Sequence, residues 1–203
     1  MCCLDRQTAL RYVTNYSRIV KCFTLYFPNG DKDENNSVRK VRTGTQLMTV
    51  NTKKVTGRRT VRYESYDDLL RDAERIGSNP NVTTLGNWSP GQIFQHLAGS
   101  IESSIDGTGF KLPWPMRVVF SLLMKRKFLH GVLPAGFKAP SNFQPQPIDT
   151  ALALDNLRKA IDRMNSESKR EMHPAFGNIT REEWDLFNLR HCELHMSFIC
   201  DER

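Results

Sequence analysis

The sequence predicts an all-α protein, a four-helix bundle with an extra helix in the long connection between its second and third bundle helices. Apolar side chains recur at helical spacing in several segments, and residues that favour helix starts precede those segments. No pair of segments alternates convincingly in the way that paired strands do. A chain of 203 residues has room for one such domain and an appendage.

Helix-start signals precede three of the bundle helices, and two of these signals are capping-box patterns. In each pattern, a Ser or Thr is followed three residues later by an acidic residue or a Gln, so that side chains and backbone N–H groups can satisfy one another in the first turn. The first helix should end at Gly77, the second near Ile105 and the last near Ile199. The two capping boxes are Ser89 with Gln92 and Thr180 with Glu183, and Ser65 precedes the first helix with Asp68 three residues later.

The remaining bundle helix follows a long connection. Residues 110–147 are rich in Pro and aromatic side chains, and we expect one additional helix there from Met116 to Leu129. Asp149 then opens the third bundle helix, whose apolar side chains are spaced for a buried face. These side chains are Leu154, Leu157, Ile161 and Met164.

Positive charge is concentrated at the start of the chain. Residues 1–61 hold 12 Lys and Arg against 4 Asp and Glu, whereas the remaining 142 residues hold 17 against 18. We therefore expect a basic, disordered leader over residues 1–60 and a bundle domain over residues 61–203. Met48 is a second candidate for the start of translation, which would make residues 1–47 an artefact. Nucleic-acid binding would rest on the leader alone, because the domain is nearly neutral.

The sequence also favours a cytoplasmic protein with no membrane partner. No segment approaches the roughly 20 apolar residues of a membrane span. Cys192 and Cys200 are expected eight residues apart on one helix, too far for a disulfide, and this favours a reducing compartment.

Three histidines form the candidate site. His191 and His195 are four residues apart on the last helix, so both rings project from its inward face and could share one metal ion. The motif differs from the HExxH motif of metalloproteases, because Glu193 lies midway between the histidines and points to the other side. From spacing alone, the pair could equally be packed or surface histidines.

His96 is the third candidate ligand. It lies at the edge of the apolar stripe of the second helix, beside small or polar residues that could line a cleft or a solvated surface. Ser100, Ser103 and Asn188 are candidate cleft-lining groups, whereas His130 and His173 are expected to be ordinary structural residues.

The wider motifs resemble the DinB superfamily. They are Asn87 to Ile93 followed by His96-Leu97, and the HxxxH helix ending Met196-Ser197-Phe198. Further motifs are similar to an uncharacterised bacterial branch of that superfamily. The resemblance covers roughly residues 60–200 and implies a bundle that binds a divalent ion through His96, His191 and His195. The further motifs are His173 to Gly177, Glu183-Trp184 and Pro134 to Pro140.

The resemblance implies a divalent-metal-dependent enzyme that activates a small thiol or water, as an S-transferase, isomerase or hydrolase. Its cofactor would be Zn, Ni or Fe, which imidazole ligands do not distinguish, together with a low-molecular-weight thiol cosubstrate and a small-molecule substrate. The catalytic residues other than the ligands stay unassigned, and a homodimer stays open. The alternative is a non-catalytic, stress-associated binding or scaffold bundle whose metal is structural or absent.

Overall fold

A computed structural model describes residues 49–136 and 143–201. Residues 1–48 lie outside the described residues. They include most of the expected disordered leader and the candidate translation start at Met48. The all-α prediction is confirmed, because the described residues form six α-helices and one pair of two-residue strands.

Four helices make up the bundle. They are α1 (Tyr66–Gly77), α2 (Pro90–Asp106), α5 (Thr150–Ser166) and α6 (Arg181–Met196). Both predicted capping boxes are present, at the starts of α2 and α6, and Ser65 and Asp68 form a further capping box at the start of α1. The Asp149 side chain caps α5 by accepting hydrogen bonds from two backbone N–H groups of its first turn.

Helix α2 approaches the start of α5 closely. A Cβ atom added at Gly91 would lie 2.6 Å from the carbonyl oxygen of Ile148, so only glycine allows this approach. The core between the helices consists of fully buried apolar side chains, among them Phe94 and Leu97 of α2 and Leu157 of α5. This packing fixes α2, and therefore His96, relative to the rest of the bundle.

The connection between α2 and α5 differs from the prediction of a single helix. It contains α3 (Trp114–Leu123) and α4 (Lys125–His130), separated at Met124. Met124 has φ −116° and ψ −23°, with φ well away from the usual helical value near −63°, and its side chain is buried. After this break α4 buries Leu129, whereas α3 buries none of its side chains.

The last helix ends three residues earlier than predicted. Residues Ile199–Cys200 form β2, which pairs antiparallel with β1 (Thr83–Thr84) in the register Thr83 to Cys200 and Thr84 to Ile199. Cys200 therefore lies in a strand rather than on the helix with Cys192, and both cysteines are free. Strands of two residues are too short to show an alternating pattern. The pairing holds the end of α6 beside the segment that leads into α2.

The described residues ahead of α1 also contact the bundle. Val50 exchanges hydrogen bonds with the Asn87 side chain, and the Arg59 guanidinium pairs with Asp72 at 2.9 Å. The backbone N–H of Arg59 donates to the carbonyl oxygen of Ser197. Within the described ranges, none of the helices is long and apolar enough to cross a membrane.

Candidate metal centre

The three predicted ligand histidines come together between α2 and α6. The centroids of the His96 and His195 rings are 4.5 Å apart, and those of His96 and His191 are 5.2 Å apart. His191 and His195 lie one turn apart on α6, with their Nε2 atoms 3.0 Å from each other. One ligand atom from each residue lies within 4.8 Å of the others. Side chains from two helices that are distant in sequence thus converge on one place.

Two neighbouring oxygen atoms orient these rings. Nδ1 of His96 lies 2.9 Å from the backbone carbonyl oxygen of Phe143, which can only accept, so this nitrogen carries the proton. Nδ1 of His191 lies 2.9 Å from the hydroxyl of Ser100, one turn beyond His96 on α2. The Nε2 of His96 therefore keeps its lone pair for a metal ion, and the Nε2 of His191 does so when the Ser100 hydroxyl accepts the Nδ1 proton.

Aromatic side chains line the histidine cluster. The Trp88 ring stacks on His195, with centroids 5.5 Å apart and planes 14° apart, and it also contacts His96 at 4.8 Å. The Phe187 ring lies nearly parallel to the His191 ring, with centroids 6.2 Å apart. In the sequence, Trp88 is part of the DinB-like motif and is expected to form a hydrophobic staple with Ile93 at the start of the second helix, but neither feature predicts that its ring contacts the histidines.

Burial keeps the three rings neutral. Burial is the largest cause that lowers the pKa of His191 to about 3 and the pKa of His195 well below its usual value, and the neighbouring histidines contribute a smaller part of both shifts. Burial also lowers the pKa of His96, although the hydrogen bond to Phe143 raises it. Neutral imidazole is the form that binds metal ions. By surface area, His191 and His195 retain partial exposure, whereas His96 is buried.

Glu193 belongs to a different part of the molecule. Its carboxylate accepts the backbone N–H of Tyr63 at 2.7 Å and pairs with the buried guanidinium of Arg190 at 2.8 Å. The carboxylate is engaged at the junction with the segment ahead of α1, not beside the histidine rings. This geometry agrees with the rejection of the metalloprotease motif.

Five other residues were considered in the sequence: three candidate cleft-lining residues and two histidines that were expected to be structural. One of the five contacts the histidine cluster. Ser100 contacts His191, whereas the Ser103 hydroxyl donates to the backbone of its own helix. Asn188 is buried in the core, where it hydrogen-bonds to Ser104 and Tyr66. His173 is buried in a turn, with Nδ1 accepting two backbone N–H groups, and His130 is exposed at the end of α4.

The histidine cluster fits a divalent ion. Two nitrogens bound to one ion at about 2.0–2.1 Å can be no more than about 4.2 Å apart. The Nε2 atoms of His191 and His195 satisfy this limit, and a set that lies within 4.8 Å needs only a small ring rotation to satisfy it throughout. The fold and the site therefore define a helical bundle with a three-histidine group that could hold a metal ion.

Comparison with known families matches residues 55–202 to a family described as "Protein of unknown function (DUF1569)". Because this match spans most of the chain, the protein belongs to that family. No curated protein matches the chain, and no solved structure matches it either. The family match does not place the chain in the DinB superfamily.

Proposed function

We propose that this protein is a divalent-metal-dependent enzyme of the DinB type, in which His96, His191 and His195 hold the ion. The observation that carries the proposal is the convergence of three neutral imidazole rings from two helices on one partly accessible place. The DinB assignment is supported by position, because one histidine lies on the second bundle helix and the HxxxH pair lies on the last. Zn, Ni and Fe all suit this donor set.

The donor set favours a catalytic ion over a structural one. Structural zinc sites are usually closed by four protein ligands, whereas catalytic sites have three and keep a position for water or substrate. A bound ion would supply Lewis acidity, which lowers the pKa of a water molecule or stabilises a thiolate. We infer a small thiol or water as the nucleophile that this site activates against an electrophilic small molecule.

The chain's own residues would orient and shield the reactants. Ser100 and the Phe143 carbonyl fix the His191 and His96 rings, so the ligand nitrogens are aligned before binding. Trp88 forms an apolar wall at the cluster and would exclude water from one side of a bound substrate. We assign ligand roles to the histidines and no acid–base role to any side chain.

The thiol in this proposal is a cosubstrate, not a cysteine of the domain. Cys192 is next to His191 in sequence but is only 1% exposed, and burial raises the pKa of its thiol. A buried thiol with a raised pKa is a poor nucleophile at neutral pH. Free Cys192 and Cys200 agree with the reducing, cytoplasmic location that belongs to this proposal.

Chelation distinguishes a catalytic ion from a structural one. We expect a chelator to remove the ion from the full chain while the far-ultraviolet circular dichroism stays unchanged, because the bundle core is apolar and complete without it. Loss of helix content on chelation would instead support the non-catalytic scaffold with a structural metal.

Activity is tested by thiol conjugation. The metal-loaded chain is incubated with an electrophile and a panel of low-molecular-weight thiols, and consumption of the thiol is followed. We expect turnover that His191→Ala reduces at least about a hundredfold and that His130→Ala, a change at an exposed histidine, leaves unchanged. A His191→Ala variant that binds metal fully, or that turns over as fast as the parent, would refute the proposal.

A further inference from the structure

An apolar patch is exposed on the connection between α2 and α5. Most of the large apolar side chains that are exposed in the described structure belong to it, with Leu122 79% and Trp114 69% exposed. At 100° per residue, the exposed side chains of α3 spread over about half of its circumference. The members of this α3 patch are Trp114, Val118, Val119, Leu122 and Leu123.

Basic residues accompany the α3 patch along the chain. The described part of residues 107–148 contains five Lys or Arg and no Asp or Glu, although the domain as a whole is nearly neutral. Arg126 and Lys127 are exposed immediately after α3. Lys125 pairs with Glu183 of α6 at 2.6 Å and so tethers the connection to the bundle. The exposed surface is therefore both apolar and positively charged.

We propose that the α3 patch docks on an anionic lipid surface. A short helix with an exposed Trp, aliphatic side chains and adjacent basic residues has the composition of an interfacial helix, which lies in the plane of the headgroups without crossing the bilayer. Arg126 and Lys127 would contact the lipid phosphates and carboxylates. The sequence-based expectation of no membrane partner rested on the absence of a spanning segment, and a surface contact needs none.

Charge argues against two other occupants. A symmetric contact with a second copy would bring two identical basic clusters together, which costs electrostatic energy. Residues 1–61 carry a net charge of +8, so the positive charge beside the α3 patch would repel this segment. An anionic bilayer is complementary to both the charge and the apolar character of the patch.

Vesicle binding with a depth readout tests this proposal. The full chain is mixed with vesicles of phosphatidylcholine alone or with about 30% phosphatidylserine, and brominated lipid is used to quench tryptophan emission. We expect sedimentation with the anionic vesicles only, with quenching that Trp114→Phe removes. Trp184 is buried and should not contribute. Vesicle binding without quenching of Trp114 would mean that the basic start of the chain binds instead, and it would overturn the proposal.

Two variants that replace an exposed leucine with glutamate test whether the α3 patch makes the contact with the vesicle. Leu122→Glu should weaken binding to anionic vesicles at least about tenfold, because it places a charge in the apolar contact. Leu152→Glu makes the same change at a 53% exposed position of α5 and should leave binding within about twofold of the parent. Equal effects of the two variants would overturn the proposal. Concentration-dependent dimerisation that Leu122→Glu abolishes, without vesicle binding, would also overturn it and assign the patch to a second copy.

Two double variants, each of which removes two positive charges, test the contribution of the basic residues to vesicle binding. The double change Arg126→Gln and Lys127→Gln should weaken binding about fivefold for each charge removed. The matched double change Arg71→Gln and Lys159→Gln removes the same net charge from exposed positions of α1 and α5 and should have a much smaller effect. Equal losses would show that only total charge matters and would refute the assignment to this surface.

Discussion

The hydroxyl of Ser100 provides a sharp test of how the site is organised. It lies 2.9 Å from Nδ1 of His191, and it is the side chain that we expect to hold the proton of that ring away from the metal-binding nitrogen. Ser100→Ala removes this hydrogen-bond partner of His191 without changing a ligand residue. The ring can then rotate, and its two tautomers become closer in energy, so part of the population no longer presents a lone pair to the ion.

The size of the effect follows from the single hydrogen bond that the substitution removes. Loss of one hydrogen bond to a metal ligand typically costs 10–100-fold in metal affinity, or about 1.4–2.8 kcal/mol. His96 and His195 keep their positions in Ser100→Ala, so the variant should still bind the ion, only more weakly. Complete loss of binding is not expected from this substitution.

Competition with a chromophoric chelator measures this affinity. Zinc is titrated into the full chain at about pH 7.5, where the histidines are neutral, and parent and variant are compared. Ser103→Ala is the matched control, because Ser103 lies nearly one turn further along α2 and its hydroxyl donates to the Gly99 carbonyl oxygen. We expect the control to bind zinc within about twofold of the parent. Parent-like affinity in Ser100→Ala, or an equal loss in Ser103→Ala, would refute the reasoning.

Three further predictions concern stability, each measured by denaturant unfolding. Gly91→Ala should lower the free energy of unfolding by about 1–3 kcal/mol, because its Cβ would lie 2.6 Å from a backbone oxygen. Gly99→Ala should raise it by about 0.5–1 kcal/mol, because the space next to Gly99 is open. Glu193→Ala should cost about 3 kcal/mol by leaving the Arg190 charge buried, with metal content unchanged. Burial lowers the pKa of His173 to about 3, so the unfolded chain takes up a proton below about pH 6.5 that the folded chain does not. Between pH 6 and 4, the free energy of unfolding of the parent should therefore fall by up to about 1.4 kcal/mol more per pH unit than that of His173→Asn. Asn is chosen because its amide oxygen can replace Nδ1 as the hydrogen-bond acceptor.

Each of these predictions has a contradicting result. Equal stability of the two glycine variants would mean that the close approach of α2 to α5 can relax. A Glu193→Ala variant as stable as the parent would mean that water reaches Arg190. Parallel pH profiles for parent and His173→Asn would mean that His173 takes up its proton while folded.

The helices were predictable because their signals are local. Ser65, Ser89 and Thr180 each start a helix where the capping pattern placed it, and Asp149 does the same for α5. The break at Met124 was not predictable, because it depends on which side chains the bundle buries. The end of α6 was misplaced for a similar reason, since β2 forms only by pairing with a distant segment.

The candidate site was predictable only in part. Four-residue spacing brings His191 and His195 together on any helix. The approach of His96 depends on how α2 and α6 pack, and only the family resemblance suggested it. The stacking of Trp88 on His195 and the contact of Ser100 with His191 are tertiary features that periodicity does not encode. Asn188 shares the inward face of α6 with the histidines, yet it lies in the closed core.

The metal content of single variants at each of the five histidines tests the central claim most directly. Each histidine is replaced singly in the untagged full chain, and bound divalent metal is measured by mass spectrometry after equilibration with zinc. We predict about one ion per chain in the parent, in His130→Ala and in His173→Asn, and substantial loss in His96→Ala, His191→Ala and His195→Ala. Full metal content in any of those last three variants, or loss in His130→Ala, would contradict the account.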